Sequence, residues 1–282
     1  MPPKRKRIKR KKKSYRIILV LLLIAAGIFL FIREPGKEDI NKSRDVFKPQ
    51  KKPEVLLPAP PPPKKLPKVA IVIDDLGRSR KRAEEVLNIN SPLTLSILPQ
   101  RRYSAWIAEQ GKRRGRDIII HLPMEATRPL KLGEGGLYTW MSDDEIVKTL
   151  KKDIRSVPFI TGASNHMGSA FTQDERAMRI VMLQLKKHRL FFLDSVTTPK
   201  SVGFKLAKAE GLRTLRRDIF LDNKDDPVEI ERQWKKLMKI AKKRGRAIAV
   251  GHPRKNTIEF LQRVLGNNKE VTVVPVTELI ID

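Results

Sequence analysis

The sequence predicts an α/β domain built as a parallel βα barrel, and three observations predict it. From residue 68 to residue 282, short apolar runs rich in β-branched residues alternate with stretches of helical periodicity. Seven or eight such runs fit into those 215 residues, the number that a closed or nearly closed barrel needs. No glycine-rich phosphate loop follows the first run, which makes an open doubly wound sheet the weaker alternative.

Taken from its start, the 282-residue chain is lopsided in charge: 60 Lys and Arg stand against 31 Asp and Glu, a net of +29. Residues 1–16 are a basic head with nine basic residues in the first thirteen positions. Sixteen uncharged apolar residues follow, IILVLLLIAAGIFLFI at 17–32, enough for roughly 24 Å of helix against a bilayer core of ~30 Å. Tyr15, Arg16 and Arg33 flank the run and suit the two interfaces. Residues 17–33 are therefore expected to be a single transmembrane signal anchor. The basic head stays on the cytoplasmic side of the inner membrane and the rest of the chain lies in the periplasm or another extracytoplasmic space. No small-x-small cleavage site follows the run, and with this neighbour the head reads as a membrane anchor, not a nucleic-acid arm.

Residues 34–67 end in PEVLLPAPPPPKKLP and have no apolar periodicity, the composition of a disordered, proline-stiffened linker. From Lys68 on, 41 basic residues face 26 acidic ones, so the domain itself is basic by +15 and suits an anionic polymer or surface. The chain has no cysteine, so any metal must be held by His, Asp or Glu.

The expected strands are 69–74, 93–98, 117–122, 160–166, 190–195, 212–221, 247–252 and 271–276. SDDE at 142–145 and TQDE at 172–175 have the capping-box form, each opening a segment of helical spacing. Polar residues gather at the C-terminal ends of these strands: Asp74 and Asp75, His121, His166, Asp194 and His252. In a βα barrel these ends converge on one mouth, where active sites are found. Each has a plainer reading alone, as a turn, a cap or a packed histidine. Together, one carboxylate and two imidazoles make a three-ligand set for a catalytic zinc or similar divalent ion with one position open for water. A second carboxylate and a third histidine can then serve as base and acid. Because successive strand residues point to opposite sides, Asp74 and Asp75 need not do the same job.

The segments VIDDLG (72–77), HLPMEA (121–126), NHMGS (165–169), FLDSVT (192–197) and AVGHP (249–253), in that order, resemble the divergent polysaccharide deacetylase family, over essentially all of 68–282. The resemblance implies a deformed seven-stranded parallel (β/α) barrel and metal-dependent removal of N-acetyl groups from a sugar polymer. Carried over by position, Asp74 is the base, Asp75 a metal ligand, His121 the first metal histidine and His252 the acid that protonates the leaving amine. Glu125 stands where the family has its second metal histidine, so either His166 from the next strand or Glu125 itself completes the set. The family's arginine-proline motif is not evident, its region being occupied by NHMGS.

The expected function is thus a membrane-anchored, metal-dependent hydrolase acting on linear amides of an N-acetylated envelope polysaccharide, peptidoglycan-like or other. Its expected catalytic residues are Asp74, His252 and Asp194, its ligands Asp75, His121 and His166, and its ion zinc. Tyr138 and Trp140, in the long loop ATRPLKLGEGGLYTW, are candidates to stack on a sugar ring. Two competitors belong to other classes. One is a catalytically silent envelope protein that binds glycan or a partner through the barrel mouth. The other is a metal-independent glycosidase using Asp74 and Asp194 across the cleft.

Overall fold

The computed structural model describes residues 65–280. The basic head, the apolar run at 17–33 and the linker as far as residue 64 lie outside the described residues. Among the described residues, no helix is long and apolar enough to cross a membrane.

The domain is an α/β fold with an all-parallel sheet. Its strands are β1 (Lys68–Leu76), β2 (Thr94–Ile97), β3 (Asp117–Met124), β4 (Gly162–Met167), β5 (Phe191–Asp194), β6 (Thr214–Arg216), β7 (Ile219–Phe220), β8 (Arg246–Gly251) and β9 (Thr272–Val273). They hydrogen-bond in the order β6-β5-β4-β3-β2-β1-β8-β7, with β9 against β1. Helices α1 (Arg80–Leu87), α2 (Ser104–Arg113), α3 (Asp143–Ser156), α4 (Glu175–Lys187), α5 (Gly203–Ala209), α6 (Pro227–Arg244) and α7 (Lys255–Gly266) alternate with the strands.

The resemblance implied seven strands; the sheet path has eight, with a ninth beside it. The difference lies at 212–221, expected as one strand. Arg217 N donates to Asp194 O at 3.0 Å, whereas Asp218 N donates to Ile248 O at 2.9 Å. Bonding thus changes partner from one residue to the next: β6 belongs to β5 and β7 to β8. The two ends of the sheet are joined by the chain itself. The expected strand at 271–276 is also cut short. Only Thr272–Val273 pair with β1, and a 3-10 turn follows at Val276–Leu279 after Pro275, which has no N–H for a ladder.

The period-two alternation of the strands sorts their residues into two cores. Val69, Ile71 and Ile73 of β1 join the large cluster that includes helix residues such as Ala83, Ile107, Leu150 and Val181. Ala70 and Val72 join a second cluster with Ile119, Phe191, Leu193, Leu215, Ile248 and Val250, which contains no residue of α1–α7. This second cluster fills the concave side of the sheet. Val274, Val276 and Leu279 from the C-terminal segment complete it. Both faces of β1 are buried, which explains its nearly continuous apolar sequence.

Helix starts follow local chemistry. Ser142 caps α3 in a full capping box with Glu145, as SDDE predicts. TQDE does not act as expected: the cap of α4 is Asp174, whose carboxylate accepts from Ala177 N. Thr172 instead sits in a 3-10 turn and donates its hydroxyl to Gly168 O at 2.7 Å.

Candidate active site

The inward parity of each strand continues past the apolar core into polar residues. On β1, Ala70 and Val72 are followed by Asp74; on β3, Ile119 by His121; on β8, Ile248 and Val250 by His252. Ser96 of β2 and Ser164 of β4 share the same side, their hydroxyls 2.9 Å apart. Above this layer lies a cavity of about 490 Å3, lined by Asp74, Asp75, His121, Asn165, His166, Met167, Ser195, Val196, Thr197, Arg217, Phe220, Asn223 and His252.

Strict alternation would turn Asp75 away from Asp74. The register of β1 against β2 shifts between Ile73 and Leu76, and Asp75 adopts a left-handed backbone, φ 60°. A bulge of this kind re-aims a side chain, and here it brings both carboxylates to one cavity. Asp75 Oδ1 lies 2.7 Å from His166 Nδ1 and 3.3 Å from His121 Nε2. Neither approach has hydrogen-bond geometry, and this buried oxygen has no hydrogen-bond partner. One ligand atom from each of Asp75, His121 and His166 falls within 4.8 Å of the others. The 3.3 Å edge matches the ligand spacing around a tetrahedral ion with bonds of about 2.0 Å, and one oxygen with two imidazole nitrogens is a zinc-type donor set. The residues therefore fit a divalent ion. His121 is oriented for this: its Nδ1 pairs with Ser164 Oγ at 2.8 Å, which leaves Nε2 toward Asp75.

His252 is held from behind. Its Nδ1 is 2.8 Å from Asp222 Oδ1, and its backbone N donates to Asp222 Oδ2 at 2.8 Å. Thr257 of α7 also donates to Asp222 Oδ2, at 2.7 Å. The free Nε2 faces the cavity, 4.0 Å from Asp75 Oδ2. Its ring stacks on Phe220 (centroids 6.2 Å apart), and the Arg217 guanidinium covers Phe220 at 3.7 Å. Arg217 in turn donates to Ser195 O at 2.6 Å and Val196 O at 2.9 Å.

The electrostatics divide the titratable groups. Burial drives the Asp74 carboxyl above its ordinary value, and the nearby His121 and His252 only partly oppose it. Burial also acts on Asp75, but His121 and His166 overcome it and hold that carboxyl far below the usual range. Burial lowers the proton affinity of His252, yet the Asp222 carboxylate more than compensates and its pKa ends up raised. Asp222 itself is held low: burial raises it, but its bond to His252 and that ring's charge outweigh burial. Burial pulls Arg217 down to about 10, while Asp194 and Asp74 work against that.

The structure thus brings together Asp74, Asp75, His121, His166 and His252. It leaves Asp194, Glu125, Tyr138 and Trp140 off the cavity wall. Asp194 follows Phe192 in parity and so faces the helix side. Its Oδ1 accepts from Val196 N, and its Oδ2 accepts from Ser201 Oγ and Phe204 N. It shapes the 195–204 loop and is not placed for catalysis. Glu125 is engaged by Thr139, whose N and Oγ1 donate to Oε2 at 2.7 and 2.6 Å, so it ties down the long loop, and it is not in the cluster of ligand atoms. Tyr138 and Trp140 stack on each other at 5.3 Å, with Trp140 69% exposed. Asp222, Arg217 and Ser164 are the polar supports that the sequence reading passed over. Asp222 had a signal: IFLD at 219–222 ends an apolar run on a carboxylate just as FFLD does at 191–194.

Comparison with known proteins agrees with this geometry. The chain is 41% identical over 206 residues to an uncharacterized protein of Haemophilus influenzae, covering 72% of each. It is 32% identical over 214 residues to the uncharacterized protein YibQ of Escherichia coli K12, covering 76% of this chain and 67% of that one. The crystal structure of the uncharacterized protein ATU2773 from Agrobacterium tumefaciens C58 shares the fold, with a TM-score of 0.71 at 24% identity over 78% of this chain and 92% of that one. The family model for divergent polysaccharide deacetylases matches residues 71–280. With that match spanning the β1 aspartates, all three cavity histidines and their supports, the chain belongs to the divergent polysaccharide deacetylase family.

Proposed function

We propose that this protein is a metal-dependent amidohydrolase of the cell envelope that removes acetyl groups from an N-acetylated glycan, tethered to the inner membrane by residues 17–33. The observation that carries the reading is the separation of roles around one cavity. Asp75, His121 and His166 form a ligand set, while Asp74 and the His252–Asp222 pair remain available for protons.

Asp75, His121 and His166 would hold a divalent ion, zinc being the best match to the donors. When bound, such an ion polarises a carbonyl and lowers the pKa of water. Asp74, buried beside the ligand set on the cavity wall, accepts the proton of the attacking water at its carboxylate. His252 donates from Nε2 to the glycan nitrogen as the C–N bond breaks, releasing acetate and a free amine. Asp222 keeps Nδ1 engaged, so that Nε2 is the atom presented to the cavity. The His252–Phe220–Arg217 stack fixes the ring plane.

The test pairs metal analysis of the purified full chain with acetate release from N-acetylated glycans. Asp75→Ala and His166→Ala should each lose bound metal, and Glu125→Gln should keep it. Asp74→Asn should retain metal while acetate release falls by about 10²–10⁴-fold. Unchanged metal content in both ligand variants, or full turnover in Asp74→Asn, would overturn the assignment.

A further inference from the structure

Where β6 parts from β8, the barrel wall opens. β6 bonds only to β5, and β8 meets β7 only from Ala249 onward, so Thr214–Arg216 and Arg246–Ile248 face each other without a ladder. A cavity of about 430 Å3 occupies this seam, with Lys208 and Arg244 also on its wall. A second cavity of about 420 Å3 shares Arg216, Asp218 and Arg244 with the first and shares Val196 and Arg217 with the active-site cavity. The second cavity therefore borders both of the others through these shared residues.

The path is strongly basic. Arg217, Arg216, Arg244, Arg246 and Lys208 line it, against one carboxylate, Asp218. That carboxylate is already engaged: Oδ1 pairs with Arg244 at 2.9 Å, and Oδ2 accepts from Ile248 N at 2.9 Å. Arg246 donates to Leu279 O, a neutral partner. Lys208 lies over the Phe204 ring at 5.2 Å and, like Arg216, has no carboxylate partner among the described residues. Cations crowded along a concave wall repel one another and raise the local potential, and an anionic ligand relieves both. A neutral glycan would leave Lys208, Arg216 and Arg246 uncompensated.

We infer that the seam extends the active-site cavity as a groove for a polyanionic glycan, so that the substrate is an N-acetylated polymer carrying carboxylates. Arg216, Arg244, Arg246 and Lys208 pair with acid groups on neighbouring sugars while one N-acetyl group lies in the cavity. This rests on the amidohydrolase reading for the chemistry of the cavity and adds the substrate class.

The experiment measures binding by fluorescence anisotropy with the full chain in detergent micelles. The probes are labelled chondroitin, whose glucuronates alternate with N-acetylated sugars, and a neutral N-acetylglucosamine oligomer. Chondroitin should bind at least about tenfold more tightly at low salt, with the gap closing as salt rises. Lys208→Gln combined with Arg216→Gln should weaken chondroitin binding by roughly fivefold and leave the neutral oligomer unchanged. Lys148→Gln combined with Lys151→Gln, two exposed cations on α3, removes the same charge elsewhere and should do neither. Equal binding of the two probes, or equal loss in the two double variants, overturns the groove. Acetate release is read separately: its absence with every substrate would sink the amidohydrolase reading while leaving the binding difference in place.

Discussion

Asp153 lies wholly buried on α3, beneath the glycine-rich part of the loop that follows β3. Gln100 Nε2 donates to its Oδ1 at 2.5 Å, whereas Oδ2 is buried with no partner. Gly135, at φ 77°, packs so closely that any side chain there would collide with the carboxylate. Burial raises the Asp153 pKa from 3.8 to about 7, with Gln100 and the charges of Lys152 and Arg101 opposing it. Between those two values the unfolded chain has released a proton that the folded chain still holds. Stability therefore falls as pH rises through that window and levels off above about 7. At about 1.4 kcal/mol per pH unit, the loss approaches about 4 kcal/mol. Asp153→Asn keeps an oxygen for Gln100 and abolishes the linkage. Its amide takes the unpartnered place of Oδ2, which returns about 1–3 kcal/mol of that gain. The variant should thus be more stable than the parent at pH 8 by about 1–3 kcal/mol, and less stable at pH 4, where the cost of the amide is almost unopposed. Urea unfolding of the full chain at both pH values, followed by tryptophan fluorescence, measures the difference. A variant destabilised equally at pH 4 and pH 8 would show that Asp153 is ionised in the folded protein and refute the reasoning.

Two further outcomes follow from the supports around the cavity. Asp222→Asn should leave metal content intact and lower kcat by about 10²-fold or more with little change in KM, because it frees the His252 ring without touching substrate; an unchanged kcat would remove Asp222 from the machinery. Asp194→Asn disturbs three hydrogen bonds of the 195–204 loop and should lower the unfolding free energy measured in urea by about 1–3 kcal/mol, while acetate release per folded molecule stays near the parental level. Parental stability with lost turnover would restore Asp194 to a chemical role.

The contrast between Asp74 and Asp194 shows how far strand-end reasoning reaches. Both end apolar runs, and position along the chain does not separate them. Parity does. Asp74 stands two residues beyond Val72, a concave-side residue, while Asp194 stands two beyond Phe192, which faces the helices. The histidines at 121, 166 and 252 were legible because their strands are regular up to the mouth. Asp222 was hidden because the expected strand stopped at Leu221, and because the split after Arg216 breaks the periodicity on which such a reading depends. Glu125 was ambiguous for a different reason. Its partner Thr139 is fourteen residues away across an aperiodic loop, and nothing local in the sequence says that the two meet.

What no sequence pattern could reveal is the strain. Asp75, Met167 and Val196 all have left-handed backbones, at φ 60°, 54° and 49°, and all three line the same cavity. Asp tolerates that conformation, but a β-branched valine does so at a cost, and such residues typically store about 1–3 kcal/mol each. Their backbones are held in place: Asn165 and Thr197 donate to Met167 O at 2.8 Å each, and Arg217 donates to Val196 O. The same three side chains also face the cavity, so the groups that hold the strained turns are part of the site wall. Left-handed backbones occur elsewhere too, at Gln100, Phe159 and Arg189, and relaxation is what each must resist. Strain at the ends of β1, β4 and β5 persists because a network anchored in the sheet opposes it. The consequence is a rim whose polar atoms are set before any ligand arrives, which is the condition under which buried dipoles act most strongly on a developing charge.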